Sequence, residues 1–202
     1  MKPTQLSLDL TQTISSSINE RTFHHHYHIL YDLPVSKKSV NYLEIACYAG
    51  GSAILMLLRP DTRVVSIDLG DPIPKSIVLD NVSKNNPLNN TFDYIEGDST
   101  SIDVINQARS LMPAVDILFI DGAHDYHGVR KDFENYQSFV VPGGYIVFDD
   151  YNDLEHSPEV KTAVDDIVKE INGYEVIGTI ENSLGARPQS LRDGNCFIIR
   201  KL

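Results

Sequence analysis

The stretch Tyr42–Ser52, with the sequence YLEIACYAGGS, joins a strand-length apolar run to a glycine turn that leads into a helix candidate. Gly50 and Gly51 allow the backbone of this turn to approach a ligand closely. The first turn of the following helix has backbone N–H groups without partners inside the helix, and these groups can bind an anion. A tight turn with no ligand is the alternative. The stretch therefore predicts a strand–turn–helix unit at a ligand-binding edge and leaves the ligand open.

Apolar runs of strand length alternate with helix candidates along the whole chain, and several runs are rich in the β-favouring residues Val, Ile, Tyr and Phe. The strand candidates are Tyr42–Ala46, Arg63–Ile67, Phe92–Ile95, Val115–Ile120, Tyr145–Phe148, Tyr174–Ile180 and Cys196–Ile199. The helix candidates are Ser52–Leu58, Lys75–Ser83, Ser101–Met112, Tyr126–Val140 and Glu159–Ile171. This alternation predicts an α/β fold in which a mostly parallel sheet has helices on both faces and right-handed crossovers.

Local residues predict where some of these elements begin and end. Ser157-Pro158 offers an N-cap and a first-position proline to the helix over Glu159–Ile171, and Asn172-Gly173 is suited to a left-handed end. Pro142-Gly143-Gly144 is predicted as a turn between a helix and a strand. Helix and strand candidates are therefore bounded by residues with a physical reason to stop them.

Two segments stand outside this alternation. Residues 1–40 are predicted to form an N-terminal helical extension or lid, and residues 41–202 the main domain. Within the extension, Thr4–Leu33 is expected to be largely helical and to fold over the ligand edge of the sheet. Ser183–Gly194 contains Gly, Pro and Ser and is predicted as a loop or a hairpin connection.

The composition narrows the class of protein. With 202 residues, 42% hydrophobic and 22% charged, the chain is typical of a soluble globular protein. The formal net charge of −11 repels phosphate backbones and anionic lipids, so neither nucleic acid nor a membrane is the expected partner. We find no apolar secretory region and no run near the roughly 20 residues that span a bilayer. Cys47 and Cys196 form no disulfide or zinc motif, so a reducing, cytoplasmic location is expected.

Small or acidic residues follow most of the predicted strands, which is where open parallel sheets bind ligands. Asp68 ends the second strand, and a carboxylate there can accept hydrogen bonds from both hydroxyls of a ribose. Gly97, Asp98 and Ser99 follow the third strand and can accommodate the edge of an adenine and bind its amino group. Helix capping is the alternative for these side chains. The positions predict a nucleoside site without deciding the reaction.

Three carboxylates follow two neighbouring strands of the predicted sheet. Asp121 ends the strand over Val115–Ile120, and the pair Asp149-Asp150 ends the strand over Tyr145–Phe148. Carboxylates that converge at a buried edge repel one another unless they are protonated or neutralised. A hard divalent cation with oxygen ligands resolves this repulsion, so the three aspartates predict a Mg²⁺ site. In the alternative, one aspartate binds the cofactor and the others cap the chain over Tyr151–Leu154.

Histidines at two places in the sequence are further candidates for the ligand site. His124 lies three residues after Asp121, and a histidine with its usual pKa near ~6.5 can accept a proton from a substrate hydroxyl. A structural, hydrogen-bonded histidine is the alternative. The segment His24–His28 (HHHYH) places His24 and His28 on one helical face, where they could bind a metal or line a pocket. Polar residues on a lid helix are the commoner explanation for that segment.

With these residues in place, the chain resembles the class I methyltransferases. It is most similar to the metal-dependent group that includes catechol O-methyltransferase, caffeoyl-CoA O-methyltransferases and antibiotic-sugar O-methyltransferases. The resemblance runs from about Tyr42 to Tyr151 and depends on three motifs, LEIACYAGGS, IDGAHDY and PGGYIVFDD. It implies the Rossmann-like, doubly wound, seven-stranded fold of that class.

The resemblance also implies the roles of individual residues. The methionine part of S-adenosylmethionine would be bordered by Glu44, Tyr48, Gly50 and Ser52. Ribose would be held by Asp68 and adenine by Asp98 and Ser99, next to Gly97. The magnesium ligands would be Asp121, Asp149 and Asp150, with Asp121 also at the cofactor. His124 stands where the catechol enzyme has its catalytic lysine. Ala46 would also border the cofactor, where the family usually has glycine, and its methyl group restricts φ.

The leading hypothesis is therefore an S-adenosylmethionine-dependent O-methyltransferase, assisted by Mg²⁺, that acts on a hydroxyl of a small sugar, phenol or other secondary metabolite. His124 would remove the hydroxyl proton. A non-catalytic cofactor- or metal-binding module is one alternative. An NAD-dependent oxidoreductase is a weaker one, because the turn lacks G-x-G-x-x-G and three acids would have no role. A homo-oligomer that completes the active site is left open.

Overall fold

The structure is a computed structural model, and it describes residues 4–18, 28–179 and 196–202. Its helices are α1 (Gln5–Ser17), α2 (His28–Asp32), α3 (Gly51–Leu57), α4 (Lys75–Lys84), α5 (Ile102–Leu111), α6 (Tyr126–Tyr136) and α7 (Val160–Glu170). Its strands are β1 (Val40–Ile45), β2 (Thr62–Asp68), β3 (Thr91–Glu96), β4 (Val115–Ile120), β5 (Val140–Phe148), β6 (Tyr174–Thr179) and β7 (Phe197–Lys201). Each of the seven predicted strands overlaps a strand of the structure.

The seven strands form one sheet in the order β3-β2-β1-β4-β5-β7-β6. The strands from β3 to β5 pair in parallel, whereas β7 lies antiparallel between β5 and β6. Successive strands are added on one side of β1, as β2 and β3, and then on its other side, as β4 and β5. The strand order therefore reverses between β1 and β4, the two strands that the glycine turn and Asp121 follow. This point in a doubly wound sheet is where ligands bind, so the predicted mostly parallel α/β fold is confirmed.

Alternate residues of the central strands pack on opposite faces of the sheet. Tyr42 and Val64 belong to a hydrophobic cluster with residues of α3 and α4, and Leu43 and Val65 belong to a second cluster with residues of α5, α6 and α7. β4 is buried along its whole length. A strand covered on both faces must be apolar on both sides, which is why these strands appear in the sequence as continuous apolar runs.

The N-terminal helices belong to the first of these clusters. Ile14 of α1 and Ile29 and Leu30 of α2 are at most 2% exposed and pack in the same cluster as α3. Arg59, just beyond α3, donates to the carbonyl oxygens of Tyr31 and Leu33 at 3.2 Å. The predicted extension is thus helical over α1 and α2, and it packs against α3 within the main core.

Several predicted boundaries differ from the structure. The predicted N-cap Ser157 is wrong, because α7 begins after Glu159, whose side chain makes no capping bond. Pro142-Gly143-Gly144 is not a turn between elements but lies inside β5, where the pairing with β4 shifts register. Gly143 has φ +82°, so the irregularity is absorbed within the strand. Helix α6 ends at Tyr136, followed by a 3₁₀ turn over Gln137–Phe139, because the longer β5 takes up the residues beyond.

The predicted left-handed helix end is also wrong, and two other predicted segments lie outside the described part of the chain. Gly173 has φ +80°, but α7 ends in an extended C-cap at Ile171, so the left-handed glycine belongs to the turn before β6. Ser183–Gly194 lies outside the described residues, and so do all of His24–His28 except His28, which begins α2 and is 1% exposed. Among the residues that the structure describes, no helix combines the length and apolar character that crossing a bilayer requires.

Candidate active site

The backbone ladder continues one residue beyond the ends of the central strands. The amides of Ala46, Gly97, Asp121 and Asp149 donate to carbonyl oxygens of neighbouring strands at 2.8–3.1 Å. The turns that follow β1, β3, β4 and β5 are therefore held side by side at one edge of the sheet. This edge is the one predicted from the residues that follow the strands.

In the turn after β1, every second residue from Ala46 to Gly50 has a left-handed backbone conformation. Ala46 has φ +62°, Tyr48 has φ +48° and Gly50 has φ +92°. Such a turn exposes successive amides to one acceptor, and here Asp68 Oδ2 accepts from the amides of Cys47 at 2.8 Å and Tyr48 at 3.1 Å. Its other oxygen accepts from the amide of Gly70 at 2.8 Å. Asp68 therefore shapes the glycine turn as well as ending β2.

Ala46 occupies a backbone conformation that costs an L-residue about 1–2 kcal/mol and that glycine adopts freely. The position at which this chain has alanine and the family usually has glycine is therefore strained. The amide of Ala46 continues the β1–β2 ladder by donating to the carbonyl oxygen of Ile67 at 2.8 Å, so the strained residue directly follows the paired strand.

Glu44 and Ser52 lie beneath this turn and bind each other. Glu44 is fully buried, and its carboxyl accepts from the hydroxyls of Ser52 at 2.6 Å, Tyr42 at 2.8 Å and Ser66 at 2.5 Å. Burial raises the pKa of Glu44 to about 7, against the lowering effect of those hydroxyls. Glu44 therefore supports the turn from within the core and links β1, β2 and α3.

The turn after β3 is tightly packed. An added Cβ at Gly97, where φ is +155°, would lie 2.7 Å from Val104 Cγ2, so this position excludes larger residues. Asp98 Oδ1 accepts from the backbone amide of Thr100 at 2.8 Å and from its hydroxyl at 2.7 Å, which lowers the pKa of Asp98. Ser101 is the N-cap of α5 and makes no side-chain capping bond. Asp98 thus orders its own turn and leaves the helix uncapped.

Asp121, His124 and Asp150 meet at the same edge. Each offers one ligand atom, and the three atoms lie within 4.8 Å of one another, a spacing that suits a single metal ion. Asp121 is partly exposed, His124 is exposed and Asp150 is 5% exposed. Asp150 has φ +55°, a left-handed conformation that aspartate tolerates better than most residues. Two of the three predicted metal ligands are therefore brought together, with His124 as the third member.

Asp149 is placed differently from its neighbour. It is 2% exposed, and its Oδ1 accepts from the thiol of Cys196 at 3.5 Å. Burial and the nearby aspartate raise the pKa of Cys196, so this thiol keeps its proton and remains a donor. Asp149 and Asp150 both lie beyond the end of β5, and their carboxylates accept from different groups, the thiol of Cys196 for Asp149 and the hydroxyl of Ser157 for Asp150. Asp149 lies outside the group of three potential ligands.

Ser157 is a site residue that sequence reasoning assigned to helix capping. It is 1% exposed, and its Oγ lies 3.0 Å from His124 Nδ1 and donates to Asp150 Oδ2 at 3.1 Å. The other ring nitrogen of His124, Nε2, lies 3.4 Å from the same Asp150 oxygen. No spacing rule connects Ser157 with His124 across 33 positions, so only the fold could reveal this contact.

The sequence matches a family of known proteins. A family model described as a methyltransferase domain matches residues 43–151. The chain is also 36% identical over 185 residues to an uncharacterised protein, R132, of Acanthamoeba polyphaga mimivirus, covering 85% of this chain and 83% of that protein. The segment matched by the family model contains the glycine turn, His124 and the three predicted metal ligands Asp121, Asp149 and Asp150. The match therefore supports the methyltransferase prediction over the oxidoreductase alternative.

Solved structures share the fold over nearly the whole chain. An O-methyltransferase of Bacillus cereus in complex with SAH has a TM-score of 0.67 and 18% identity, covering 100% of this chain and 93% of that one. The O-methyltransferase TomG of Streptomyces achromogenes, involved in tomaymycin synthesis and solved with SAM, has a TM-score of 0.68 and 15% identity, covering 100% and 91%. By sequence match and by fold together, the chain belongs to the methyltransferase domain family and has the class I fold of S-adenosylmethionine-dependent methyltransferases.

Proposed function

We propose that the protein transfers a methyl group from S-adenosylmethionine to a hydroxyl of a small molecule, with a divalent cation at Asp121 and Asp150. The observation that carries this proposal is the meeting of Asp121, His124 and Asp150 beside the glycine turn at one edge of the sheet. Two carboxylates and a histidine next to a nucleoside-type edge suit deprotonation of a hydroxyl.

The cofactor would lie across the turns after β1, β2 and β3. Gly50 caps α3, so the free amides at the start of α3 would face the carboxylate of the methionine part. Asp68 would accept ribose hydroxyls, and Asp98 and Ser99 would bind the amino group of adenine. Three large apolar side chains near these turns are 40–66% exposed and would be covered by a bound nucleoside: Tyr48, Leu69 and Ile102.

The cation would be held by Asp121 and Asp150, since Mg²⁺ takes one or two carboxylates and completes its shell with water and substrate oxygens. His124 Nε2 lies 3.4 Å from Asp150 Oδ2, and its single lone pair can bind a cation or a proton but not both. We assign His124 the role of proton acceptor. Its role as a third ligand is the competing assignment, and Mn²⁺ would suit that mixed donor set.

When bound, the sulfonium supplies an electrophilic methyl group, and the cation lowers the pKa of a neighbouring hydroxyl. The chain's own residues would orient the cofactor and accept the proton. The turns would orient the cofactor towards Asp121, and His124 Nε2 would accept the hydroxyl proton while the oxygen takes the methyl group and S-adenosylhomocysteine leaves. Proximity and alignment supply much of the rate in such a transfer.

The acceptor is proposed to be a small sugar, phenol or other secondary metabolite. The net charge of −11 disfavours a nucleic-acid acceptor. The part of TomG in tomaymycin synthesis supports a small-molecule acceptor. Within residues 4–18, 28–179 and 196–202, the seven-stranded domain also has little beyond its core that could bind a large acceptor, unless a second subunit completes the site.

The test uses the full chain in two measurements. Titration calorimetry with S-adenosylhomocysteine measures cofactor binding, and a panel of small sugars and phenols measures methyl transfer with Mg²⁺ or Mn²⁺. We expect Asp150→Ala or excess EDTA to lower turnover about 100-fold or more while cofactor binding persists. Glu155→Ala, at an exposed acid in the loop after Asp150, is the matched control and should leave turnover unchanged. Full activity in excess EDTA would falsify the cation's role.

His124→Ala separates the two assignments of the histidine. If His124 is the proton acceptor, the variant loses turnover by about 10²–10⁴-fold but keeps its affinity for Mn²⁺ in calorimetry. A loss of Mn²⁺ affinity would instead make His124 a ligand. His156→Ala is the control, because His156 is an exposed histidine nearby, at 69% side-chain exposure. Binding of S-adenosylhomocysteine without transfer to any acceptor would favour the non-catalytic module.

A further inference from the structure

Asp132 is a buried carboxylate in the middle of α6 that none of the proposed steps uses. It is 1% exposed, and a carboxylate removed from water is costly unless it is hydrogen-bonded. Ser99 provides that bond, because its Oγ donates to Asp132 Oδ1 at 2.6 Å. Ser99 stands in the turn after β3, where the adenine is proposed to bind. A buried acid of α6 therefore contacts the proposed adenine turn directly.

The same face of α6 holds Ser99 a second time. Tyr136 follows Asp132 by four residues, so the two side chains lie one above the other on the helix. The hydroxyl of Tyr136 donates to the carbonyl oxygen of Ser99 at 2.8 Å. Side chain and backbone of Ser99 are thus bound by two residues of one helix, which restricts both the rotamer and the position of this turn.

The second oxygen of Asp132 faces the turn after β4. An added Cβ at Gly122 would lie 3.1 Å from Asp132 Oδ2 and 3.0 Å from Ile45 Cγ2. Gly122 directly follows Asp121, the residue proposed at both the cation and the cofactor. One carboxylate group therefore lies between the turn that would hold adenine and the turn that carries Asp121.

We propose that Asp132 is a positioning residue for the cofactor: it fixes Ser99 and the packing at Gly122 so that the adenine turn and the Asp121 turn keep the separation that one bound cofactor requires. This inference rests on the proposed function, because it concerns the same cofactor. Asp132 acts through Ser99 and is not itself at the cofactor. Burial raises the pKa of Asp132 to about 6, so near neutral pH the carboxylate is mostly ionised and accepts the Ser99 hydroxyl strongly.

The experiment measures S-adenosylhomocysteine affinity by calorimetry, and the kcat and cofactor KM of the full chain. We expect Asp132→Ala to weaken binding about tenfold, because the Ser99 turn loses its carboxylate partner and must then be ordered when the cofactor binds. The cofactor KM should rise similarly, while kcat at saturating cofactor stays within about twofold. Asp132→Asn keeps an acceptor oxygen for Ser99 and should restore most of the affinity. Tyr136→Phe should weaken binding by a smaller factor, because it removes only the bond to the Ser99 carbonyl.

Asp116→Ala is the matched control. Asp116 is equally buried, at 2%, and accepts from Lys37 and from the amide of Asn41 at the opposite end of the sheet. It should lower stability without changing cofactor affinity. A double-mutant cycle adds a sharper criterion: in the Ser99→Ala background, Asp132→Ala should cost much less than in wild type.

The outcomes separate this inference from the function on which it rests. Wild type that does not bind S-adenosylhomocysteine overturns both. Wild type that binds it, with Asp132→Ala within twofold of wild-type affinity, overturns the positioning role alone. Equal losses from Asp132→Ala in the presence and absence of the Ser99 hydroxyl also overturn it. If Asp132→Ala does not fold, Asp132→Leu, which fills a similar space without an acceptor oxygen, replaces it in the affinity measurement and in the cycle, with Asp132→Asn as its matched comparison.

Discussion

At the scale of single residues, the arrangement around Ser157 decides which face of His124 can act. A serine hydroxyl has one proton, and here it is donated to Asp150 Oδ2. Ser157 Oγ, 3.0 Å from Nδ1, must then accept the Nδ1 proton of a neutral His124. The ring lone pair is left on Nε2, 3.4 Å from Asp150 Oδ2, where these two acceptors repel each other unless a cation or a proton lies between them. Both roles considered for His124 need an unprotonated Nε2, so Ser157 prepares the histidine for either.

The substitution Ser157→Ala removes this hydroxyl and should lower kcat about 10–100-fold, the usual cost of losing a group that orients a catalytic or ligating histidine. Cofactor affinity should not change, because Ser157 contacts the far side of the site. Nitrogen NMR of the free protein should show the Nδ1-protonated ring in wild type and a mixture in the variant. Ser157→Thr retains a hydroxyl and serves as the rescue. The idea is wrong if kcat of Ser157→Ala stays within twofold of wild type.

At the scale of elements, the N-terminal helices are part of the core, although the sequence suggested a separate extension. Asp32 at the end of α2 accepts from the amide and hydroxyl of Thr4 and the hydroxyl of Ser7 at 2.6–2.8 Å, which fixes the start of α1. Leu30 is fully buried in the cluster that includes α3. Because α3 begins at the glycine turn, this packing supports the helix whose N-terminus is proposed to bind the cofactor.

Leu30→Ala tests whether these helices unfold with the sheet. Truncation of a fully buried leucine should lower the free energy of unfolding by about 2–5 kcal/mol. A single urea transition, seen equally by circular dichroism and by tyrosine fluorescence, should be retained. Leu6→Ala, at a leucine 57% exposed on α1, is the control and should change stability by less than about 0.5 kcal/mol. Two separate transitions would show instead that the N-terminal segment is an independent lid.

At the scale of the whole molecule, buried acids couple stability to pH. Burial raises the pKa of Glu44 to about 7 and that of Asp132 to about 6, from the ordinary values of 4.5 and 3.8. The folded state therefore favours the protonated forms. Their stabilising contribution is fully present below the unfolded pKa values and is lost as the pH rises through the folded ones. Between about pH 4 and pH 7, these two groups should make the protein progressively less stable.

Glu44→Gln isolates the larger of the two contributions. A shift from 4.5 to about 7 corresponds to about 3 kcal/mol, all of it lost by pH 8. Urea unfolding at pH 4.5 and pH 8 should show wild type losing about 3 kcal/mol more than the variant between these two conditions. All other titrating groups are common to both proteins and cancel in the difference. A difference between wild type and variant that is independent of pH would rule out the raised pKa of Glu44.

Much of the site could be predicted because its members follow strands. The rule that ligands bind beyond the carboxyl ends of parallel strands predicts Asp68, Asp98, Asp121 and Asp150 as members of the candidate site. Contacts made from elsewhere were missed: Asp132 comes from the middle of a helix, and Ser157 from a loop. Their chemistry is ordinary in the sequence, where a polar residue on a helix is most simply explained as solvent-exposed. Their burial, at 1% exposure for each, is what distinguishes Asp132 and Ser157 from ordinary polar surface residues.

The α/β class, most of the elements and the residues that end the strands follow from the sequence, because periodicity and turn chemistry are local properties of the chain. Which of those residues meet follows only from the way the strands and helices pack. Strand order placed β1 between β2 and β4, so that Asp68 reaches the glycine turn. After β5 the backbone of Asp150 is left-handed, and the side chain of Asp150, not that of Asp149, joins Asp121 and His124. Distances between residues some 30 positions apart depend on strand order, register and packing, which are set by the whole core at once and are not encoded in any short stretch.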